Sequence, residues 1–198
     1  MNTKNTKPFL ESMKWSWLFL VGMFWTVVFD GTQAMSLKEY AEKPFGSVLM
    51  LRHALAPGFG DPSNFQLGDC STQRVLDEVG QEQSRQIGNA FRNVDLRFEG
   101  VYSSQWCRCL ETARLINMGK VQELSSLNSF FQGIVPRETT LASLRRFLKE
   151  LATDSDPVLL VTHQVTISAI TGMSVSSGAA VAYDPVNDKA YRVTLPMD

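Results

Sequence analysis

Two apolar runs stand out along this chain because they lack the polar alternation of a surface strand. Ser47–Leu51 and Pro157–Val161 are too short for helices and read as strands buried on both faces. Around them the apolar spacing lengthens to a helical period. Gln73–Asn93 places Val75, Val79, Ile87, Ala90 and Phe91 at that spacing. In Arg137–Leu151, Leu141, Leu144, Leu148 and Leu151 form one stripe, with Arg145, Arg146, Lys149 and Glu150 largely off it. Gln105–Asn117 and His163–Thr171 read as further helices. Gly100–Ser103, Val121–Leu124, Val181–Tyr183 and Tyr191–Leu195 read as further strands. Strands alternating with helices imply an α/β layer fold with a largely parallel sheet.

The N-terminus follows a different pattern. Trp15–Phe29 is an apolar run preceded by Lys4, Lys7 and Lys14 and followed by Asp30. It is shorter than the roughly 20 residues a membrane span needs. It fits the apolar region of a secretory signal, with Thr32-Gln33-Ala34 suited to cleavage after Ala34. A start at Met13 would compact the same signal; the alternative is an uncleaved anchor. The expected organisation is therefore a signal segment over 1–34 and one domain over 35–198, in the periplasm or otherwise exported.

Composition narrows the function classes. Nineteen Lys and Arg against 20 Asp and Glu leave a net charge of −1, so no broad field attracts nucleic acid or an anionic membrane. Membrane contact is expected only if the N-terminal segment stays uncleaved. The chain has three cysteines, Cys70, Cys107 and Cys109, so at least one is unpaired. Export permits a disulfide, and a bridge from Cys70 to either of the others would brace the residue between them, Arg108. Cys-x-Cys is not the usual zinc spacing, so no metal and no other cofactor is expected.

The candidate chemistry lies where the two buried strands end. The chain has two histidines, and each closes one of these runs: His53 follows Ser47–Leu51 and Arg52, and His163 follows Pro157–Val161 and Thr162. In open α/β sheets, ligands bind outside the carboxyl ends of the strands. A neutral imidazole is a competent nucleophile toward phosphorus, and arginine's planar fork suits phosphoryl oxygens. Arg52 precedes His53. Arg108 falls in the first turns of a helix that follows Val101–Ser103, where free amides and the dipole also favour anions.

With these residues in place, the sequence resembles the histidine phosphatase superfamily, the phosphoglycerate mutase-like fold, from about Val48 to Tyr183. The motifs are LRHA at Leu51–Ala54, Ser103-Ser104 followed by Arg108 and Glu111-Thr112-Ala113, and VTH at Val161–His163. The resemblance implies a three-layer α/β/α sandwich. It implies that His53 is the phosphate-accepting nucleophile and that Arg52, Arg108 and His163 form the phosphate pocket, His163 partly protonated. An exported phosphohydrolase acting on a small phosphate monoester is the implied activity, with envelope sugar phosphates among the candidate substrates.

The sequence departs from the family at three points. Ala54 replaces the usual Gly after the nucleophile, which suggests a tighter backbone approach to phosphate. Leu127–Gly133 lacks the Glu that serves as proton donor in mutases and broad phosphatases, and Gln164 replaces the Asp of the acid-phosphatase branch. The nearest candidates for a general acid are Asp61, placed slightly ahead, and Asp69; each reads equally as a loop cap. Arg74 and Arg114 read as helix surface, and Phe130 and Phe131 as core or pocket wall. Two alternative functions remain: a phosphate-binding regulatory module with little turnover, suggested by the missing Glu and Ala54, and a phosphomutase.

Overall fold

The computed structural model describes residues 1, 34–44, 48–151 and 156–196. The signal segment expected over residues 1–34 lies outside the described residues apart from Met1 and Ala34. Among the described residues no helix is long and apolar enough to cross a membrane.

A seven-stranded mixed sheet organises the unit Gly31–Asp198. In chain order the strands are β1 (Ala34–Ser36), β2 (Val48–Arg52), β3 (Gly100–Ser103), β4 (Val121–Glu123), β5 (Val158–Thr162), β6 (Ala180–Asp184) and β7 (Lys189–Thr194). The spatial order is β1-β7-β6-β2-β5-β3-β4. Only β6 runs against the others, pairing antiparallel with both β2 and β7. The helices are α1 (Leu37–Glu42), α2 (Glu78–Asn93), α3 (Cys107–Ile116), α4 (Arg137–Glu150) and α5 (Gln164–Thr171).

The unalternated strands are apolar because both sheet faces are covered. In β2, Leu49 and Leu51 enter one core with Ile87, Phe91, Ala113 and Ile116 from α2 and α3. Val48 and Met50 enter the opposite core with Leu141, Leu144 and Leu148 of α4 and Ile167 of α5. β5 divides the same way, Leu159 and Val161 against Val158 and Leu160.

Beyond shifts of one or two residues at element ends, the elements differ from the expected ones at α2 and at the N-terminal β1 and α1. α2 begins at Glu78, not Gln73, because Asp77 caps it by accepting the Gly80 N–H at 2.8 Å. Residues 73–77 therefore lie outside the helix, and Val75 and Val79 are exposed rather than part of its apolar stripe. β1 and α1 lie outside the elements that the apolar pattern predicts, although Ser36 and Glu39 form a reciprocal capping box that marks the helix start.

Close backbone approach fixes α2 beneath the loop after His53. A Cβ on Gly80 would strike the Leu55 carbonyl, and one on Gly88 the Ile116 carbonyl. Only a residue without a side chain fits at either contact.

Candidate active site

The carboxyl ends of β2, β5 and β3 meet at one edge, held by backbone bonds that extend the ladders. His53 N–H donates to Thr162 O at 2.9 Å, and Ser104 N–H donates to Val161 O at 2.9 Å. His53 thus arrives beside β5 with its ring buried, 3% exposed.

Its tautomer follows from one hydrogen bond. Nδ1 lies 2.8 Å from the Ala54 carbonyl, which can only accept, so Nδ1 carries the proton and Nε2 the lone pair. Arg108 donates its Nε–H to that Nε2 at 3.2 Å. Burial first, and then the Arg108 charge, push the His53 imidazole down to about 3. His53 is therefore neutral at ordinary pH.

Arg108 sits in the first turn of α3 and is 3% exposed. It grips Asp61 with both terminal nitrogens, Nη1 to Oδ1 at 2.8 Å and Nη2 to Oδ2 at 3.1 Å. Asp61 also accepts from Trp106 Nε1–H at 3.0 Å and from the Arg74 amide at 3.2 Å. Burial raises the Asp61 carboxyl, but the Arg108 hydrogen bonds and charge, with Trp106 and the Arg74 amide, outweigh it and hold it below the usual carboxylate range. Asp61 is thus an ionised acceptor with both oxygens occupied, and the donor role considered for it does not fit. Asp69 caps the short 3-10 turn Cys70–Thr72, accepting from Ser71 N–H and Oγ–H. It stands outside the cavity.

Cys70 is bonded to Cys107, the residue before Arg108, so the loop carrying Asp61 and Arg74 is tied covalently to the start of α3. Cys109 is free and buried. Burial pushes its thiol up to about 12, so it is not a reactive thiolate.

His163 precedes α5 and is 3% exposed. Asn128 Oδ1 accepts from the Gln105 amide at 2.9 Å and from Ser104 Oγ–H at 3.1 Å. Having spent its proton there, Ser104 Oγ accepts at 2.8 Å from His163 Nε2–H. Burial, then the Arg108 charge, hold His163 well below its ordinary value. His163 is therefore neutral at ordinary pH, not partly protonated as the resemblance implied; a phosphoryl dianion beside it would raise it.

The remaining cations come from the end of β2 and from the loop before α2. Arg52 donates Nη1–H to the Val175 carbonyl at 2.8 Å. Gln164 holds that loop, accepting from Val175 N–H and donating to Ser168 and Ser174. Gln164 is therefore a fully engaged strut. Arg74 reads differently from the helix-surface position assigned to it: it donates to the Ala56 and Gly58 carbonyls at 2.6 Å each and lines the cavity. The Nε atoms of Arg52 and Arg74 are buried without a protein partner. Ala54 does not crowd the cavity; its methyl is buried with Ala56 and Leu76, and its N–H donates to Thr112 Oγ1 at 3.0 Å.

Together Arg52, Arg74 and Arg108 against Asp61 leave two uncompensated positive charges around a neutral imidazole. The cavity they line is about 190 Å³. That balance matches a phosphoryl dianion, and the lone pair on His53 Nε2 can attack its phosphorus. Phe59 and Phe131 meet edge to face at the cavity with ring centroids 5.2 Å apart.

Residues 48–139 match the family model described as histidine phosphatase superfamily (branch 1). No curated protein matches the chain. Solved structures share its fold at low identity. The protein TTHB049 from Thermus thermophilus aligns at 18% identity and a TM-score of 0.53, over 75% of this chain and 99% of that one. A mycobacterial glucosyl-3-phosphoglycerate phosphatase aligns at 15% and 0.51, over 73% and 95%.

Proposed function

We propose that this chain, whose residues 48–139 match the histidine phosphatase superfamily, is a phosphohydrolase that cleaves a small phosphate monoester through a phosphohistidine on His53. The observation that carries the reading is the lone pair of His53 Nε2 directed at Arg108 within a pocket of net charge about plus two. Arg52, Arg74 and Arg108 bind the phosphoryl oxygens, which compete for the Arg108 Nε–H and free the lone pair. Nε2 then forms a bond to phosphorus while the ester P–O bond breaks and its electron pair leaves on oxygen. That oxygen takes a proton from solvent. Water attacks the phosphohistidine, the N–P bond breaks, its pair returns to Nε2, and the water proton passes to phosphate or solvent. His163, charged once the dianion is bound, adds to the stabilisation of the equatorial oxygens.

The cell envelope is the proposed location, on the apolar N-terminal run and on the Cys70–Cys107 bridge, which suits an oxidising compartment.

The test is trapping by rapid quench into alkaline denaturing detergent, with labelled phosphate donor on the full chain. Wild type should carry acid-labile label and His53→Ala none, with turnover abolished. Near-wild-type activity in His53→Ala would refute the mechanism. A second reading, a phosphate-binding module, draws on the absence of any carboxylic acid lining the cavity among the described residues. Vanadate binding without turnover of p-nitrophenyl phosphate would favour it.

A further inference from the structure

Two surfaces of the cavity have opposite chemistry. The floor is cationic and built to hold a phosphoryl group. The exposed rings of Phe59 and Phe131 border the mouth, and Val165, Ser129 and Gln164 complete the uncharged part of the lining. Phe59 stands 90% exposed, a large apolar side chain whose ring contact is Phe131. An aromatic ring left in solvent at the rim of a site is informative where a scattered surface apolar residue is not.

The position of this pair is fixed. Gln132 takes a left-handed conformation with φ 64°, and its side chain crosses to the Phe59 loop. There it accepts from Asp61 N–H at 2.8 Å and donates to Asp61 O at 3.3 Å. The two aromatic loops are therefore tied together at the mouth.

We infer that the mouth selects aryl phosphate monoesters, with Phe59 and Phe131 as the specificity-determining residues. The inference rests on the phosphohydrolase reading. Three observations favour an aryl group over a sugar. Perpendicular rings present a corner in which a planar ring can stack on one and meet the edge of the other. The polar side chains here have little left to offer: Gln164 makes three hydrogen bonds, and Ser129 Oγ accepts from Phe131 N–H at 3.3 Å, which leaves its single hydroxyl proton. Several sugar hydroxyls pressed against this rim would lose water and gain few partners. Finally, no carboxylic acid lines the cavity among the described residues, and Asp61 is locked on Arg108. A phenol, with a pKa of about 10, departs as an anion far more readily than an alkoxide whose parent is close to water at about 15.7.

The experiment compares five substrates on the full-length protein: phenyl phosphate, p-nitrophenyl phosphate, benzyl phosphate, glycerol phosphate and acetyl phosphate. Phenyl phosphate should exceed glycerol phosphate in kcat/KM by at least about a hundredfold. Benzyl phosphate, with a ring but an alkoxide leaving group, should bind with a KM near that of phenyl phosphate and turn over slowly. Acetyl phosphate, a good leaving group without a ring, should have the high kcat and a raised KM. Phe59→Ala and Phe131→Ala should each lower efficiency on phenyl phosphate roughly three- to tenfold more than on acetyl phosphate. Phe59→Leu, which keeps apolar bulk, should retain only part of the selectivity, and the exposed position spares folding. Equal rates on glycerol and phenyl phosphates, or equal losses on both donors in the rim variants, would overturn the inference while leaving the phosphohydrolase reading intact. No label on His53 and no turnover of any donor would remove both.

Discussion

The floor and the mouth of the cavity are built by different means. The floor groups are held by hydrogen bonds to strand ends, helix starts and loops: His53 by Ala54 O and Arg108, Arg108 by Asp61, Arg74 by the Ala56 and Gly58 carbonyls, and His163 by Ser104, itself bonded to Asn128. The mouth is two aromatic side chains on loops, joined through Gln132. The floor is buried and held by charged and backbone partners, whereas the mouth is exposed and held through Gln132. The difference separates chemistry from selectivity. Strand ends and helix starts set charge and proton positions, and loops set what is attached to the phosphate.

Breaking the floor should cost most. Arg108→Lys keeps a charge but loses the fork on Asp61 and the Nε–H on His53. Catalytic efficiency should fall by about two orders of magnitude or more, equivalent to about 3 kcal/mol of transition-state binding. An unchanged kcat/KM would place Arg108 outside the chemistry.

Asp61→Asn strips the partner from a buried cation. Both side chains are 4% exposed, and a fully buried pair broken this way costs about 3–5 kcal/mol. About 2–3 kcal/mol is expected here because Arg108 still borders the cavity. The measurement is denaturant unfolding alongside kcat/KM on an aryl and an alkyl ester. Both substrates should suffer alike, since Asp61 positions Arg108 and protonates nothing. A collapse confined to the alkyl ester would restore Asp61 as the proton donor.

Acid should loosen the floor before it affects the mouth. His53 and His163 are held neutral in the fold, whereas in the unfolded chain they take up protons below about pH 6.5. The unfolded state then binds more protons, so stability is complete above about pH 6.5 and falls as pH drops. Two such groups give a limiting slope of about 2.7 kcal/mol per pH unit. Melting temperatures measured between pH 7.5 and 5 should decline steadily; a flat profile would mean the imidazoles are not held neutral.

The smallest effect separates the two loop acids. Asp69→Asn removes one acceptor from an exposed turn, and Asn can replace it as a cap, so stability should change by under about 0.5 kcal/mol. Kinetics on both ester types should be unchanged. A selective loss on the alkyl ester would bring Asp69 into the chemistry.

Much of the floor is legible in the sequence because it sits on regular elements. An apolar run followed by a histidine reads as a strand delivering that residue to a sheet edge, and the fold has both runs paired as β2 and β5. Arg74 was not legible. Its spacing suits a helix face, and only the Asp77 cap and the path of residues 57–77 turn it toward the cavity. The capping box at Ser36 and Glu39 was a local signal for α1 that could have been found beside the apolar run preceding it.

The sequence by itself determined the α/β class, the burial of both faces of β2 and β5, and the ends at which His53 and His163 emerge. These rest on periodicity and length, which are properties of neighbouring residues. The tertiary structure alone decided the partners. Asp61 lies eight positions from His53, yet it belongs to Arg108, 47 residues away. Cys70 joins Cys107 rather than Cys109, and Phe59 meets Phe131 across the mouth. Such pairings depend on where loops return in space, and no local period encodes that return.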